Sequence, residues 1–237
     1  MGRIREFTNA EALFQSAAEL ILALALKLES GNPFTIALSG GSTPRGLYQR
    51  MASDGMKSQF PWPKMHFFLT DERWVPATDP QSNFRMAQET LLKPVEVAQG
   101  HIHPIHTSLG SPEASAREYE EKITHFFNTG PGEFPVFNLI LLGLGTDGHT
   151  ASLFSGDPAT LEEKRLVMPA LLNSELPRVT LTFPVINRAQ NVVFLVCGAE
   201  KQAIFHKIFH QNPGPKPLPA QKVRPAAGEL YWFVSRG

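Results

Sequence analysis

Short apolar runs alternate along the chain with longer segments in which apolar residues recur at helical spacing. The apolar runs predict strands at residues 34–39, 65–70, 136–142, 178–183, 191–197 and 229–234. The segments with helical spacing predict helices at residues 9–30, 45–51, 83–92, 112–128 and 199–210. Strands that alternate with helices are typical of parallel strands covered on both faces. The pattern therefore predicts an α/β fold, a three-layer sandwich around a mostly parallel sheet.

One apolar segment, residues 20–26, has to be distinguished from a membrane or targeting signal. It is far too short to span a bilayer. The acidic residues Glu6, Glu11 and Glu19 precede it, whereas a secretory signal begins with basic residues. We therefore interpret the segment as part of the first helix, and we expect no signal peptide and no membrane partner.

Composition narrows the classes of function. The 237 residues carry 22 Lys and Arg against 22 Asp and Glu, so no net charge draws the chain to nucleic acid or anionic lipid. The single cysteine, Cys197, excludes an intrachain disulfide and a cysteine zinc cluster, which suits a reducing compartment. We expect one domain over residues 1–237, a cytoplasmic location and no nucleic-acid partner. The oligomeric state stays open, with a monomer favoured.

Polar loops follow three of the predicted strands, at residues 39–43, 71–73 and 143–149. In sheets of this kind, ligands bind at the carboxyl ends of the strands. We therefore expect the three loops to converge on one site.

The first loop, Ser39-Gly40-Gly41-Ser42-Thr43, links a strand to a helix. Two glycines let the backbone approach an anion, and the hydroxyls and free amides of the helix start can donate hydrogen bonds to a phosphate. An ordinary glycine turn with a helix cap would show the same pattern, and position alone favours neither interpretation. The loop is not a Walker loop, because no lysine follows the glycines.

Charged residues open the second loop, in the order Asp71, Glu72 and Arg73, and Arg85 follows further along. Carboxylates and a guanidinium at a strand end can serve acid–base chemistry and anion binding. A solvated run of charges is the simpler alternative.

The third loop has GxGxxG spacing at residues 143–148, which dinucleotide-binding folds place after a strand. That fingerprint requires a helix at once and an acidic residue that ends the next strand, whereas Glu162 and Glu163 precede the next apolar run. The spacing therefore argues against a dinucleotide cofactor. The more informative feature is His149, two residues after Asp147, because a histidine oriented by a carboxylate can act as a general base. A structural histidine that closes the loop is the alternative.

Two further histidine groups raise the question of a metal ion. His101, His103 and His106 are close in sequence, and His206 and His210 are one helical turn apart. Neither group has a nearby carboxylate or cysteine to complete a ligand set. We expect surface histidines and no metal site.

Several segments, taken together and in order, match one known family. They are residues 38–44, 71–73 with Ser82-Asn83, 143–154, 178–182, Gly198 with Lys201, and 218–220. They cover nearly the whole chain, and in them it resembles the family that holds 6-phosphogluconolactonases and glucosamine-6-phosphate deaminases.

The resemblance implies hydrolysis of 6-phospho-D-glucono-1,5-lactone in the oxidative pentose phosphate pathway, with a small sugar phosphate as partner and no cofactor. It also implies a sandwich related to the ribose-5-phosphate isomerase and CoA-transferase folds. By the same resemblance, His149 activates water and Asp147 holds its ring. Asp71 and Arg73 complete the expected catalytic set, and Arg73 and Arg85 would bind phosphate or stabilise the developing oxyanion. The residues expected to hold the phosphate are Ser39, Gly40, Gly41, Ser42, Thr43, Arg178 and Lys201.

Two rival functions are weighed against this one. The family's deaminases carry a catalytic glutamate five residues after the histidine, whereas Phe154 stands at that position and cannot transfer protons. A noncatalytic sugar-phosphate-binding protein would tolerate the loss of Asp147 or His149, and both are present.

Overall fold

The computed structural model describes residues 2–29, 31–172, 175–210 and 216–236. Its strands are β1 (Arg3–Phe7), β2 (Phe34–Leu38), β3 (Met65–Leu69), β4 (Asp71–Arg73), β5 (Leu139–Gly143), β6 (Val167–Ala170), β7 (Arg178–Leu181), β8 (Asn191–Cys197) and β9 (Glu229–Ser235). Its helices are α1 (Ala10–Lys27), α2 (Ser42–Met51), α3 (Asp54–Lys57), α4 (Asn83–Ala87), α5 (Pro112–Phe127), α6 (Phe183–Ile186) and α7 (Gln202–His210). Ser30, the last residue of the first predicted helix, lies outside the described residues.

Six strands form the main sheet, in the order β1-β9-β8-β5-β2-β3, and every neighbouring pair runs parallel. All of β2 is buried, as are residues 139–142 of β5. Successive residues of a strand face opposite sides of a sheet, so unbroken burial means that both faces are covered. This confirms the predicted α/β fold with a mostly parallel sheet between two covering layers.

A second sheet of three short strands, in the order β4-β7-β6, departs from the sequence prediction. Its pairs run antiparallel, so the strand predicted at 178–183 does not belong to the parallel sheet. The Thr70 amide donates to the Leu38 carbonyl, and the Leu181 amide donates to the Thr70 carbonyl, both at 2.8 Å. These two bonds join the sheets and place β4 and β7 beside the carboxyl ends of β2 and β3.

The edge strand β1 was not predicted, because it has no continuous apolar run and four of its five residues are exposed. It is held by parallel pairing with β9, and the Arg5 guanidinium lies 5.4 Å from the ring centroid of Phe233. An edge strand needs only one partner, so a strong apolar pattern is not required for it.

The starts of two helices can be compared with the predicted ones. Helix α5 begins at Pro112 as predicted, and Ser111 caps it, since the Ser111 Oγ accepts from the Ala114 amide at 3.1 Å. The second helix begins at Ser42, three residues before the predicted start at 45, so Ser42 and Thr43 form its first turn. None of the described helices combines the length and apolar character needed to cross a membrane.

Candidate active site

The loops after β2, β3 and β5 converge as predicted, and they line an open cavity of about 250 Å³. The predicted site residues that line it are Ser39, Gly40, Gly41, Asp71, Arg73, His149, Arg178 and Lys201. Two larger hollows, of about 690 and 560 Å³, lie beside α7 and β9 and include none of the predicted site residues. The chemistry-bearing side chains therefore gather in the smallest of the three.

His149 and Asp147 form a pair within one loop. His149 Nδ1 lies 2.5 Å from Asp147 Oδ1, and the His149 amide donates to the same oxygen at 3.1 Å. Partial burial raises the pKa of Asp147, but the hydrogen bonds and charge of His149 outweigh it and leave that pKa below its usual value. Asp147 is therefore anionic at neutral pH. With Nδ1 engaged, Nε2 is the ring nitrogen left for chemistry.

Glycine is required inside this loop because the backbone packs closely against the pair. A Cβ on Gly145 would overlap both the His149 ring and the Asp147 carboxylate, and Gly148 has a φ of +86°. The Gly145 amide also donates to the His149 carbonyl at 2.9 Å. Turns follow β5, and the next described helix is a single 3-10 turn at Pro158–Thr160, so the helix of a dinucleotide fingerprint is absent from this stretch. The glycines shape the histidine loop.

Asp71 connects the histidine loop to β4. It is 5% exposed, and its Oδ2 accepts from Ser152 Oγ at 2.6 Å while its Oδ1 accepts from Thr70 Oγ1 at 3.1 Å. Ala151, which precedes Ser152 and lines the cavity, has a φ of +48°. A left-handed alanine is strained, and such strain persists only where surrounding contacts enforce it. The Ser152–Asp71 bond is one such contact.

Glu72 has a role that the sequence did not reveal. Its buried carboxylate accepts from Ser82 Oγ at 2.9 Å and from the amides of Asn83 and Phe84 at 2.7 and 2.8 Å. Burial raises the pKa of Glu72, and these hydrogen bonds oppose that effect. A carboxylate at a helix N-terminus satisfies otherwise unpaired amides. Glu72 therefore fixes the first turn of α4.

That turn places Asn83 against the first loop. Asn83 Nδ2 donates to the Asp71 carbonyl at 2.9 Å, and its side chain fills the space that a Cβ on Gly40 would need. Gly40 is thus required by a contact between two loops. The only sequence signal for it was the pair Ser82-Asn83, a typical helix start.

The first loop presents donors to the cavity. Ser39 is buried, the Tyr48 hydroxyl donates to its carbonyl at 2.9 Å, and its own Oγ has no hydrogen-bond partner among the described residues. Gly41, with a φ of +107°, turns the chain into α2. Ser42 and Thr43 lie in the first turn of that helix without lining the cavity. A helix start with unpaired donors is suited to an anion.

Three cationic side chains reach the cavity from different elements. Arg73 and Arg178 are register partners across β4 and β7, and Lys201 lies at the end of the 3-10 turn before α7. Burial lowers the pKa of Arg178, and the nearby carboxylate of Asp71 opposes the shift. A guanidinium stays protonated in proteins, so the cavity carries positive charge.

Arg85 is held elsewhere. Its Nε lies 2.8 Å from Glu89 Oε1, and its Nη1 donates to the Thr78 carbonyl at 2.6 Å. It does not line the cavity, whereas Arg73 does. Of the three predicted arginines, the structure thus brings Arg73 and Arg178 to the cavity but not Arg85.

No group of three histidine, cysteine, aspartate or glutamate side chains suited to a metal ion occurs in the part of the chain that the structure describes. His101 and His103 stack with His66, while His106 pairs with Glu118 at 3.2 Å. These histidines are thus engaged in aromatic stacking and in a contact with a carboxylate.

Comparison with known proteins places these features in a family. The sequence profile described as glucosamine-6-phosphate isomerases/6-phosphogluconolactonase matches residues 8–232. The 6-phosphogluconolactonase of Synechocystis is 45% identical over 202 residues, which cover 85% of this chain and 82% of that protein. The one from Nostoc is 39% identical over 224 residues, covering 94% and 91%. The crystal structure of 6-phosphogluconolactonase from Thermotoga maritima superposes with a TM-score of 0.84 at 34% identity and covers 99% of both chains.

Proposed function

Since the chain belongs to the family of glucosamine-6-phosphate isomerases and 6-phosphogluconolactonases, we propose that it hydrolyses 6-phospho-D-glucono-1,5-lactone to 6-phosphogluconate with water activated by His149. It is an enzyme of the lactonase kind, like the relatives at 34–45% identity that match most of the chain. The observation that carries the mechanism is the His149–Asp147 pair on a cavity lined by Arg73, Arg178 and Lys201.

The reaction begins with proton transfer to histidine. His149 Nε2 accepts a proton from water while the water oxygen bonds to the lactone carbonyl carbon. Asp147 holds the ring through Nδ1 and stabilises the imidazolium that forms, as its lowered pKa keeps it charged. When the bond between the carbonyl carbon and the ring oxygen breaks, the imidazolium returns the proton to that oxygen. A lactone is an activated ester, so no nucleophilic side chain is needed.

Negative charge develops on the former carbonyl oxygen before the ring opens. We assign its stabilisation to Arg73, which lines the cavity and whose buried Nε has no hydrogen-bond partner among the described residues. Arg85 is tied to Glu89 outside the cavity and is not needed for this step. Asp71 holds the histidine loop against β4 through its hydrogen bond with Ser152.

The phosphate group anchors the substrate in the site and thereby orients it. The first loop supplies amides and the Ser39 hydroxyl, while Arg178 and Lys201 supply charge. Charge-assisted hydrogen bonds of this kind contribute ~1.5–3 kcal/mol each. A remote anchor also orients the carbonyl against the base, so part of its effect is expected in turnover. The predicted cytoplasmic location and single-domain organisation stay predictions.

The test compares two lactones. Freshly generated 6-phosphogluconolactone should disappear far faster than its spontaneous hydrolysis, and unphosphorylated gluconolactone should give a kcat/KM at least ~10³-fold lower, since ~1.4 kcal/mol is a factor of ten. Lys201→Ala should reduce kcat/KM for the phosphorylated lactone alone. Lys207→Ala, on the exposed side of α7, is the matched control. Equal efficiency of the parent on both lactones would contradict the phosphate site.

A further inference from the structure

One aromatic ring touches both halves of this site, although the mechanism above does not use it. Phe154 is 4% exposed, and its ring centroid lies 4.4 Å from that of His149 with the planes tilted by 39°. The Arg178 guanidinium carbon lies 5.4 Å from the same ring centroid. The side chain that faces the base thus also faces one of the cations.

Each of these two groups gains an orientation from Phe154. The hydrogen bond with Asp147 fixes the position of His149 Nδ1. The Asp147 side chain is 58% exposed and can itself move, so this bond alone does not fix the plane of the imidazole ring. A ring packed against the imidazole restricts its rotation and keeps water from that side. A guanidinium over an aromatic ring is attracted to it, and more strongly when both are partly desolvated.

Phe154 is itself held by the loop. Its carbonyl accepts from the Asp157 amide at 3.1 Å, and the preceding Ser152 is bonded to Asp71. The ring is therefore a fixed surface between the histidine loop and β7.

We infer that Phe154 is a positioning residue that sets the His149 ring and the Arg178 guanidinium relative to each other, so that the base and the phosphate site match the carbonyl and the phosphate of a bound sugar-phosphate lactone. The inference rests on the proposed function, which assigns the base to His149 and the phosphate to Arg178. An apolar ring suits this task because it exchanges no proton with its neighbours.

Phe154→Leu tests the inference, because leucine keeps an apolar side chain and removes the ring. Phe183→Leu is the matched control, since Phe183 is 7% exposed and its ring centroid lies 5.5 Å from Lys222 Nζ, a cation that does not line the cavity. Both variants lose a buried ring with a cation on its face. Phe154→Met, which keeps more of the volume, serves where the leucine variant does not fold.

The expected result is a split between kinetic parameters. For the phosphorylated lactone, Phe154→Leu should lower kcat by about 10-fold and raise KM by about 5-fold. The loss in kcat is smaller than the ~10²-fold effect of removing a general base, because His149 is still present and only the orientation of its ring is impaired. For the unphosphorylated lactone only kcat should fall, because no phosphate engages Arg178. The dissociation constant of 6-phosphogluconate, measured by calorimetry, should rise about 5-fold in Phe154→Leu and stay unchanged in Phe183→Leu.

A purely structural role would lower kcat equally for both lactones and leave KM and product affinity unchanged, and that result would overturn the inference. The proposed function fails separately. A parent that binds 6-phosphogluconate without hydrolysing the lactone would contradict the mechanism, while product affinity of the two leucine variants would still decide the role of Phe154.

Discussion

His149 and a group of three stacked histidines occupy very different surroundings in this molecule. His149 is 28% exposed at the side chain, faces an open cavity and has a carboxylate oxygen 2.5 Å from Nδ1. The second group, the stacked rings of His66, His101 and His103, lies at β3, and none of the described carboxylates pairs with it. His66 Nδ1 and His103 Nε2 lie 3.1 Å apart, so one of these nitrogens must be unprotonated.

Aromatic packing defines the second group. His103 stacks on Phe68 with ring centroids 4.2 Å apart, and Phe126 contacts both His66 and His103. Burial, together with the neighbouring His66 ring, lowers the pKa of His103 to about 4. Burial also lowers the pKa of His66. His66 and His103 are therefore packed as neutral aromatic rings at neutral pH.

A histidine is suited to proton chemistry when it has a partner that stabilises its charged form and when a ligand can reach it. His149 has an anion to stabilise its charged form and a cavity for a reactant. The stacked group has neither, although it contains more histidines. The sequence prediction of surface histidines does not hold for His103, which is half-buried among aromatic rings.

The largest expected effect comes from the base. His149→Gln should lower kcat by ~10²-fold or more in a folded protein, the usual reach of a positioned general base. His106→Gln is the control, since His106 also has a carboxylate at 3.2 Å but does not line the cavity. Turnover of His149→Gln within a few-fold of the parent would remove His149 from the mechanism.

A smaller effect on kcat is expected from replacing Asp147, the partner of His149. Asp147→Asn should lower kcat by about 10-fold, because the ring loses its anionic partner while the contact with Phe154 persists. Steady-state kinetics on the phosphorylated lactone measures this. An Asp147→Asn enzyme as slow as His149→Gln would show that orientation depends on Asp147 alone.

The stacked histidines should affect stability and leave catalysis unchanged. The pKa of His103 falls from 6.5 to about 4 on folding, so between these values the unfolded chain binds more protons than the folded one. The contribution of neutral His103 to the free energy of unfolding is therefore fully present above pH 6.5 and is lost as pH drops toward 4. Urea unfolding at pH 7 and pH 5 should show a smaller loss in His103→Gln than in the parent or in His106→Gln. Equal losses in all three would contradict this account.

The smallest effect should come from chelation. No group of three or more histidine, cysteine, aspartate or glutamate side chains that could hold a metal ion occurs in the residues the structure covers. Incubation with EDTA should leave kcat unchanged, with buffer alone as the control. Loss of activity that zinc restores would require a metal site in place of the proposed one.

Much of the site could be predicted because it is local in sequence. Asp147 and His149 are two residues apart, so their hydrogen bond depends on one loop and its glycines. The apolar runs predicted β2, β5 and β8, since continuous burial needs continuous apolar sequence. The convergence of the loops followed from the rule that parallel strands end at one edge.

Other parts depended on contacts between distant residues, and only the tertiary structure decided them. Glu72 is one of three consecutive charged residues in the sequence, yet it is buried because three groups at the start of α4 donate to its carboxylate. Arg73 lines the cavity and Arg85 does not, although both follow the same strand. Charge and spacing are properties of the chain, whereas burial and partner depend on which elements pack together. The sequence by itself therefore determined the central strands of the sheet and the histidine loop, and the packing of β4, β7 and α4 determined which charges act there.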